Sequence, residues 1–384
     1  MHITYITETY PPEVNGVSLS AARAVSFLRD RGHTVDIVRP RQPHEGPLNT
    51  AMEWRTAGVP LPMYPDVRFG LASVSTLRQR LQWQQPDVVH IATPGPLAWA
   101  AARAAHNLGL PISTDFRTNF HLYSNYYGLG LLSPLILRAL RGFHNMGQRT
   151  HVPTAALHAQ LARQGFKNLT VVGRGVDTNR FHPARHSPAL RDQFAGTNGP
   201  LLLHVGRLAQ EKNVQLALRA FQTLRTEMPE ARMIVVGDGP QRAQLERRHP
   251  DVHFVGMQHG ETLARYYASA DLFLFPSLSD TFGNVVPEAL ASGLPVLAFD
   301  MGAAAELVRD SGAGLVVSPD KPQDFIAAAC SLASRYQHLA LMRKRARAVA
   351  MTISWEQALA PFEHSLMEVA HALTSAQNAQ TRAA

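Results

Sequence analysis

Short apolar runs alternate with amphipathic stretches along nearly the whole chain, and this rhythm restricts the fold more than any other property. It predicts strands at residues 2–6, 34–38, 87–91 and 111–114, with a shorter one near 150–152. Helices are expected at 17–31, 71–85 and 97–108, and Gly32 and Gly109 fall where helix C-caps belong. Such alternation is that of βα units around a parallel sheet. Residues 173–188 break the pattern with Gly, Pro and polar side chains, and a second βα series follows. Its strands are predicted at 201–205, 233–236, 252–255, 272–275, 296–298 and 314–317, with helices that include 213–227 and 263–268. A long helical region is expected from 324 to 373, broken near 352–354, with a small, polar, frayed tail at 374–384. The fold class is therefore α/β, with two Rossmann-like doubly wound domains facing a cleft. Domain limits are set at 1–180 and 181–355, and the segment 356–384 is expected to pack back on the first domain. Doubly wound sheets bind ligands at the carboxyl ends of their strands, which makes the cleft the expected active site.

A chain of 384 residues is too long for one comfortable core, in agreement with two domains. With 45% hydrophobic and 17% charged residues it should be globular. It has no uncharged apolar run of about 18 residues, which argues against a membrane span, and the N-terminus Met1-His-Ile-Thr-Tyr-Ile6 does not read as a secretory signal. The single cysteine, Cys330, excludes an internal disulfide and cysteine-pair metal sites, so a reducing cytoplasmic setting fits best. The net charge of +8 is uneven: residues 1–180 hold 18 Lys/Arg against 10 Asp/Glu, while residues 181–384 hold 19 of each. No acid lies between Asp115 and Asp177, a segment that contains Arg117, Arg138, Arg141, Arg149, Arg163, Lys167 and Arg174. That field suits an anionic partner (a membrane surface, a phosphorylated acceptor or nucleic acid), although a solvated basic surface explains it equally well.

The stretch Ser279-Asp-Thr-Phe-Gly-Asn-Val-Val-Pro-Glu-Ala-Leu-Ala-Ser-Gly-Leu-Pro-Val-Leu297 carries the most chemistry. It sets Asp280 just before an expected helix, Glu288 inside it, and Gly283 and Asn284 at the turn. Helix N-termini favour anions and carboxylates accept hydrogen bonds from hydroxyl pairs, so one element could hold both ends of a nucleotide-sugar. In His204-Val-Gly-Arg-Leu-Ala-Gln-Glu-Lys-Asn213, Arg207 and Lys212 flank a strand-to-helix loop where two cations could neutralise a diphosphate. Two basic residues in a loop are more often plain surface charges; the position at a strand end shifts that balance. Gly237-Asp-Gly-Pro240 is explained by a tight turn with Pro240 at the first position of the next helix, without any ligand. In the first βα turn, Gly16 permits close approach of backbone to a ligand, but G-x-G-x-x-G is absent and a turn glycine is the simpler account.

Taken together, Gly206-Arg207…Lys212, Gly237-Asp-Gly-Pro240, Ser279-Asp280…Glu288-Ala-Leu-Ala-Ser-Gly-Leu-Pro295 and Glu306 resemble family-4 retaining glycosyltransferases of the GT-B fold. The opening Pro11-Pro-Glu-Val-Asn-Gly-Val17 and the linker Gly175-Val-Asp-x-x-x-Phe181 extend the resemblance to nearly the whole chain. Within the family it is most similar to bacterial GDP-mannose-dependent and glycolipid-forming enzymes, through Phe116-Arg-Thr-Asn-Phe-His-Leu-Tyr-Ser-Asn-Tyr-Tyr-Gly128. The resemblance implies that Arg207 and Lys212 hold the donor diphosphate, that Glu288 binds the ribose hydroxyls and that Asp280 contacts the transferred sugar. It also implies a donor pocket completed by Gly16, Gly206, Phe282, Gly283, Asn284 and Val285. Asp280 stands where the family has Glu, which shortens that arm by a methylene. Arg117 stands where the family commonly has His; Arg117 and His121, with Asn15, Arg138 and Arg141, are the acceptor-side candidates.

The implied reaction retains anomeric configuration and uses neither metal nor cofactor. No D-x-D, HExxH or Cys/His cluster is legible in the chain. The partners are then a nucleotide-diphosphate sugar (GDP-mannose or a UDP-hexose), a lipid or saccharide hydroxyl, and in the lipid case an anionic membrane surface on the cytoplasmic side, without nucleic acid. Residues 131–143, apolar with Arg138 and Arg141, read either as an interfacial helix or as an ordinary core helix. The competing classes are a GT-B-fold nucleotide-sugar epimerase and a non-catalytic basic binding protein, and the latter does not explain the donor-site residues.

Overall fold

Apolar β-branched runs between glycine-rich turns close into two parallel sheets. The computed structural model describes residues 1–13, 15–61, 64–117, 132–194 and 199–383. The first sheet contains β1 (His2–Ile6), β2 (Thr34–Pro40), β3 (Leu48–Asn49), β4 (Glu53–Leu61), β5 (Tyr64–Leu71), β6 (Val88–Ile91), β7 (Ile112–Asp115), β8 (Arg149–Val152) and β9 (Leu169–Val171). Their order is β3-β4-β2-β1-β6-β7-β8-β9, with β5 paired to β4. The strands from β4 to β9 along this path are parallel, while β3 and β5 join β4 antiparallel. The periodicity missed β3, β4, β5 and β9: it favoured a helix from residue 71, whereas β5 runs to Leu71 and the helix spans Val74–Gln84 with Ser73 as its N-cap.

The second sheet has six parallel strands, β10 (Leu201–Val205), β11 (Arg232–Val236), β12 (His253–Gly256), β13 (Leu272–Phe275), β14 (Val296–Phe299) and β15 (Gly314–Val317), in the order β12-β11-β10-β13-β14-β15. The strand order reverses between β10 and β13, so the loops that follow these two strands open at the switch point. Both faces of this sheet are covered. Leu201, Leu203 and Val205 belong to one core cluster and Leu202 to another, which is why this strand, apolar apart from the buried His204, does not alternate.

Two compact units result. Among the described residues the second is Arg174–Trp355, and the first combines those up to Gly173 with those from Glu356 onward. The linker joins the second unit before the break placed at 180/181. Val176 donates to the Ile353 carbonyl at 3.0 Å, and a Cβ on Gly175 would stand 2.4 Å from the Trp355 backbone, so only glycine fits there. The terminal helical region is three helices, Pro322–Ala333, Ala340–Met351 and Trp355–Ala383. Its last helix continues through the tail expected to fray, because Ala and Gln there are strong helix formers. That helix packs within the first unit. Glu363 meets Arg31 at 3.2 Å and His33 at 2.8 Å, and Phe362, Leu366 and Val369 are buried. Among the described residues no helix is long and apolar enough to cross a membrane.

Candidate active site

Three strand-end loops of the second unit are stitched together backbone to backbone. Gly206 N–H donates to Val236 O at 3.0 Å, Leu208 N–H to Asp238 O at 2.8 Å, and Gln241 N–H to Leu208 O at 2.9 Å. A Cβ on Gly237 (φ +138°) would lie 1.9 Å from the Gly206 carbonyl oxygen, so the Gly-Asp-Gly turn is required by this contact. The following helix begins at Arg242, leaving Pro240 in the turn and not in the helix's first position. The loop after β13 is joined to the one after β10 by Leu278 N–H, which donates to Glu211 O at 2.9 Å.

This stitching brings together residues that the sequence separates. Lys212, in the turn Gln210–Lys212, places its Nζ 2.6 Å from Asp280 Oδ1. Asp280 also accepts from Ser277 Oγ, so its carboxylate is held from two sides. Arg207 Nη1 stands 3.9 Å from Glu211 Oε1, a carboxylate buried beneath the loop that the motif reading did not single out. Phe282 is buried and Gly283 takes φ +92°. Phe282 O accepts from Ala303 N at 2.6 Å, fastening the loop after β14 to the same turn. Asn284 is the N-cap residue of the seven-residue helix Val285–Ala291, and Glu288 lies inside that helix, as expected.

Glu288 has a partner that no motif announced. Tyr267, from the helix Gly260–Ser269, donates its hydroxyl to Glu288 Oε2 at 3.0 Å. Burial raises the Glu288 carboxyl to about 7, against the Tyr267 bond and the charge of Arg180, which pull it down.

In the first unit several acceptor-side candidates are engaged in structure. Asn15 caps the helix Gly16–Asp30, accepting from Val17 N at 3.0 Å and Ser18 N at 2.8 Å while donating to Thr9 Oγ1 at 2.9 Å. Gly16 is the first residue of that helix. Arg117 donates to Asp115 Oδ2 at 2.6 Å and reaches the Tyr5 hydroxyl at 3.4 Å. Arg138 is exposed, whereas Arg141 donates to the Gln164 carbonyl at 3.0 Å. His121 lies outside the described residues. Glu8, which the sequence reading passed over, is buried in the first βα loop and accepts from Gly70 N at 2.6 Å and Leu97 N at 3.0 Å. Burial raises its carboxyl to about 7 despite those bonds.

The fold also assembles a cluster where none was legible. His90, Asp115 and His151, on the adjacent strands β6, β7 and β8, bring their ligating atoms within 4.8 Å of one another. Asp115 lies 3.4 Å from His90 Nε2 and 3.1 Å from His151 Nδ1. Burial is the largest single influence and pushes Asp115 up, but the charge of Arg117 and the two imidazoles together outweigh it and hold the carboxyl well below the usual carboxylate range. The guanidinium already provides the cation there, so the cluster works as a buried polar network. Its Asp115–Arg117 pair, two residues apart at a strand exit, was the one part open to sequence reasoning.

Two doubly wound parallel-sheet units, with a lysine–carboxylate pair at the strand ends of the second, define a GT-B glycosyltransferase. Family models agree: "Glycosyltransferase Family 4" matches residues 14–180 and "Glycosyl transferases group 1" matches residues 199–335. A GDP-mannose-dependent alpha-mannosyltransferase of Mycobacterium tuberculosis is 33% identical over 330 residues, covering 83% of this chain and 84% of the relative. An alpha-monoglucosyldiacylglycerol synthase of Streptococcus pneumoniae is 29% identical over 315 residues, covering 78% and 71%. Among solved structures, the sucrose-phosphate synthase of Thermosynechococcus elongatus superposes with a TM-score of 0.77 at 17% identity, covering 97% of this chain and 99% of that one. The chain belongs to glycosyltransferase family 4.

Proposed function

We propose that the protein transfers a hexose, with mannose from GDP-mannose the first choice, to a lipid or saccharide hydroxyl with retention of configuration and without a metal ion. The observation that carries this reading is the Lys212–Asp280 pair at 2.6 Å beside Arg207, at the switch point of the second sheet. Lys212 and Arg207 neutralise the departing diphosphate, and Asp280 holds the lysine in place while it takes a hydroxyl of the transferred sugar. Glu288 binds the ribose hydroxyls. As the bond from the sugar's anomeric carbon to phosphate oxygen breaks, the acceptor oxygen bonds to that carbon on the same face. Its proton passes to the phosphate oxygen, and nucleoside diphosphate leaves. With the positive charge supplied by side chains, saturating EDTA is expected to leave turnover unchanged, and loss of activity restored by a divalent ion would reject the metal-free scheme.

The mannosyltransferase relative supports the donor, and the glucolipid synthase relative supports a lipid acceptor. So does the exposed apolar surface of the helix Ser133–His144, where Leu135 is 65% exposed beside the exposed Arg138, with Leu132 47% exposed just before it. The enzyme then works at the cytoplasmic face of the membrane. A screen of nucleotide-sugars against lipid and saccharide acceptors, read by mass spectrometry, identifies the product; absence of nucleoside diphosphate release from any donor would overturn the proposal. Flotation with anionic liposomes should weaken in Leu135→Ser/Arg138→Ser, and equal flotation would remove the membrane-surface reading. Arg141 is left intact in that variant because it braces the Gln164 carbonyl.

A further inference from the structure

We infer that Tyr267 is the positioning residue of the ribose-binding acid: its hydroxyl fixes one oxygen of Glu288 and leaves the other for the nucleotide. The inference rests on the ribose role proposed for Glu288. Tyr267 is fully buried, and its ring is wedged between Phe181, at 5.6 Å and 85°, and Phe273, at 5.6 Å and 61°. A ring packed in this way fixes the position of its hydroxyl oxygen, and Glu288 Oε2 stands 3.0 Å from it. Phe181 closes the Gly175-Val-Asp-x-x-x-Phe181 segment, so the linker itself helps to aim the tyrosine.

A second tie joins the linker to the helix that carries Glu288. Arg347 donates to the carbonyls of Thr178 at 3.2 Å, Phe181 at 3.0 Å and Ala291 at 2.7 Å, the last of these ending the helix that carries Glu288. The groups that bear on the Glu288 charge are therefore Tyr267, from the helix Gly260–Ser269, and Arg180, from the linker. Burial pushes the Tyr267 phenol well above its ordinary value, so it remains an O–H donor throughout the physiological range. Its bond favours the carboxylate, the form that accepts from two ribose hydroxyls. Removing the phenol oxygen should leave Glu288 in place by packing but less ionised at neutral pH and free to rotate.

The test is calorimetry of GDP and of UDP with the full chain, wild type, Tyr267→Phe, Phe181→Leu and Glu288→Ala, from pH 6 to 9. In wild type the affinity should rise with pH as Glu288 ionises near 7. Tyr267→Phe should weaken binding about fivefold at pH 7, as expected for one lost hydrogen bond, and its affinity should recover towards wild type at higher pH. Phe181→Leu, which loosens the ring without deleting the hydroxyl, should move in the same direction by less. Wild-type affinity and an unmoved pH profile in Tyr267→Phe, alongside weakened binding in Glu288→Ala, would overturn the inference and leave the ribose reading standing. Wild-type affinity in Glu288→Ala would overturn the ribose reading, and the role of Tyr267 with it. If Tyr267→Phe melts early, the Phe181→Leu profile decides between the same outcomes.

Discussion

A single ion pair, Lys212–Asp280, is the centre of the proposed donor site. Lys212 and Asp280 are both largely buried, at 13% and 17% side-chain exposure, so neither carries its charge comfortably alone. Lys212→Met leaves Asp280 its bond from Ser277, and should cost about 2 kcal/mol of stability as a lost charge-assisted bond. Chemical denaturation reads that cost, and under the proposed mechanism turnover should fall far more steeply, because the cation assigned to the leaving phosphate goes with it. Turnover near wild type would remove Lys212 from the mechanism. The Asp280 carboxylate bonds both Lys212 and Ser277. Glu288 gives a prediction of the opposite sign. Its folded carboxyl titrates near 7 against an ordinary 4.5, so the fold binds a proton that the unfolded chain has released. Stability from this group is therefore complete below about 4.5 and declines as pH rises to 7. Glu288→Gln should flatten that part of the decline in denaturation experiments at pH 5 and 8, while Glu8, also near 7, keeps its own share.

At the level of elements, the strand-end loops explain why the motifs are spaced as they are. The glycines of Gly206-Arg207 and Gly237-Asp-Gly239 allow two turns to meet at backbone distance, and that contact carries Arg207 and Lys212 to the switch point. Gly237→Ala combines a left-handed φ with a clash against fixed backbone, and should cost more than the roughly 1–2 kcal/mol of the conformation alone. Gly109→Ala is the matched control, since its φ is +67° and nothing lies within 4 Å of the added Cβ. Equal melting temperatures for the two variants would show that the loop contact contributes nothing. The carboxyl of Glu8 plays a comparable part in the first unit. It accepts the first amides of the helix Pro96–Asn107, whose own N-cap residue, Gly95, offers no side chain. A Cβ at Gly95 would fall 2.2 Å from that carboxylate, so the glycine and the acid occupy one space between them.

At the scale of the molecule, the chain returns to its first unit after completing the second. The terminal helix closes over β6 and β8 through Phe362, whose ring lies 4.9 Å from His90 and 5.0 Å from His151, and through Ser365 Oγ, 2.9 Å from His151 Nε2. Truncation after Trp355 should therefore loosen the first unit, not the second. Hydrogen exchange should lose protection in residues 88–91 and 149–152 while residues 201–205 keep theirs; undiminished protection in the first two segments would reject this role for the helix. Much of this architecture was legible beforehand, because strands, turns and helix caps are written in local periods and local residue types. The six strands of the second sheet, the Asp280-to-Glu288 turn-helix and the family follow from that local record. β3, β4, β5 and β9 did not: β3 and β9 are too short to show a period, and β4 and β5 are broken by Gly and Pro. Nor did Tyr267 opposite Glu288, Glu211 beneath Arg207, or the His90–Asp115–His151 network. The sequence alone determined most of the elements and their order, because helix and strand periods act over a few residues. Which side chains meet was decided by parallel strand pairing, which sets β6 beside β7 and β7 beside β8 across dozens of intervening residues that no local pattern spans.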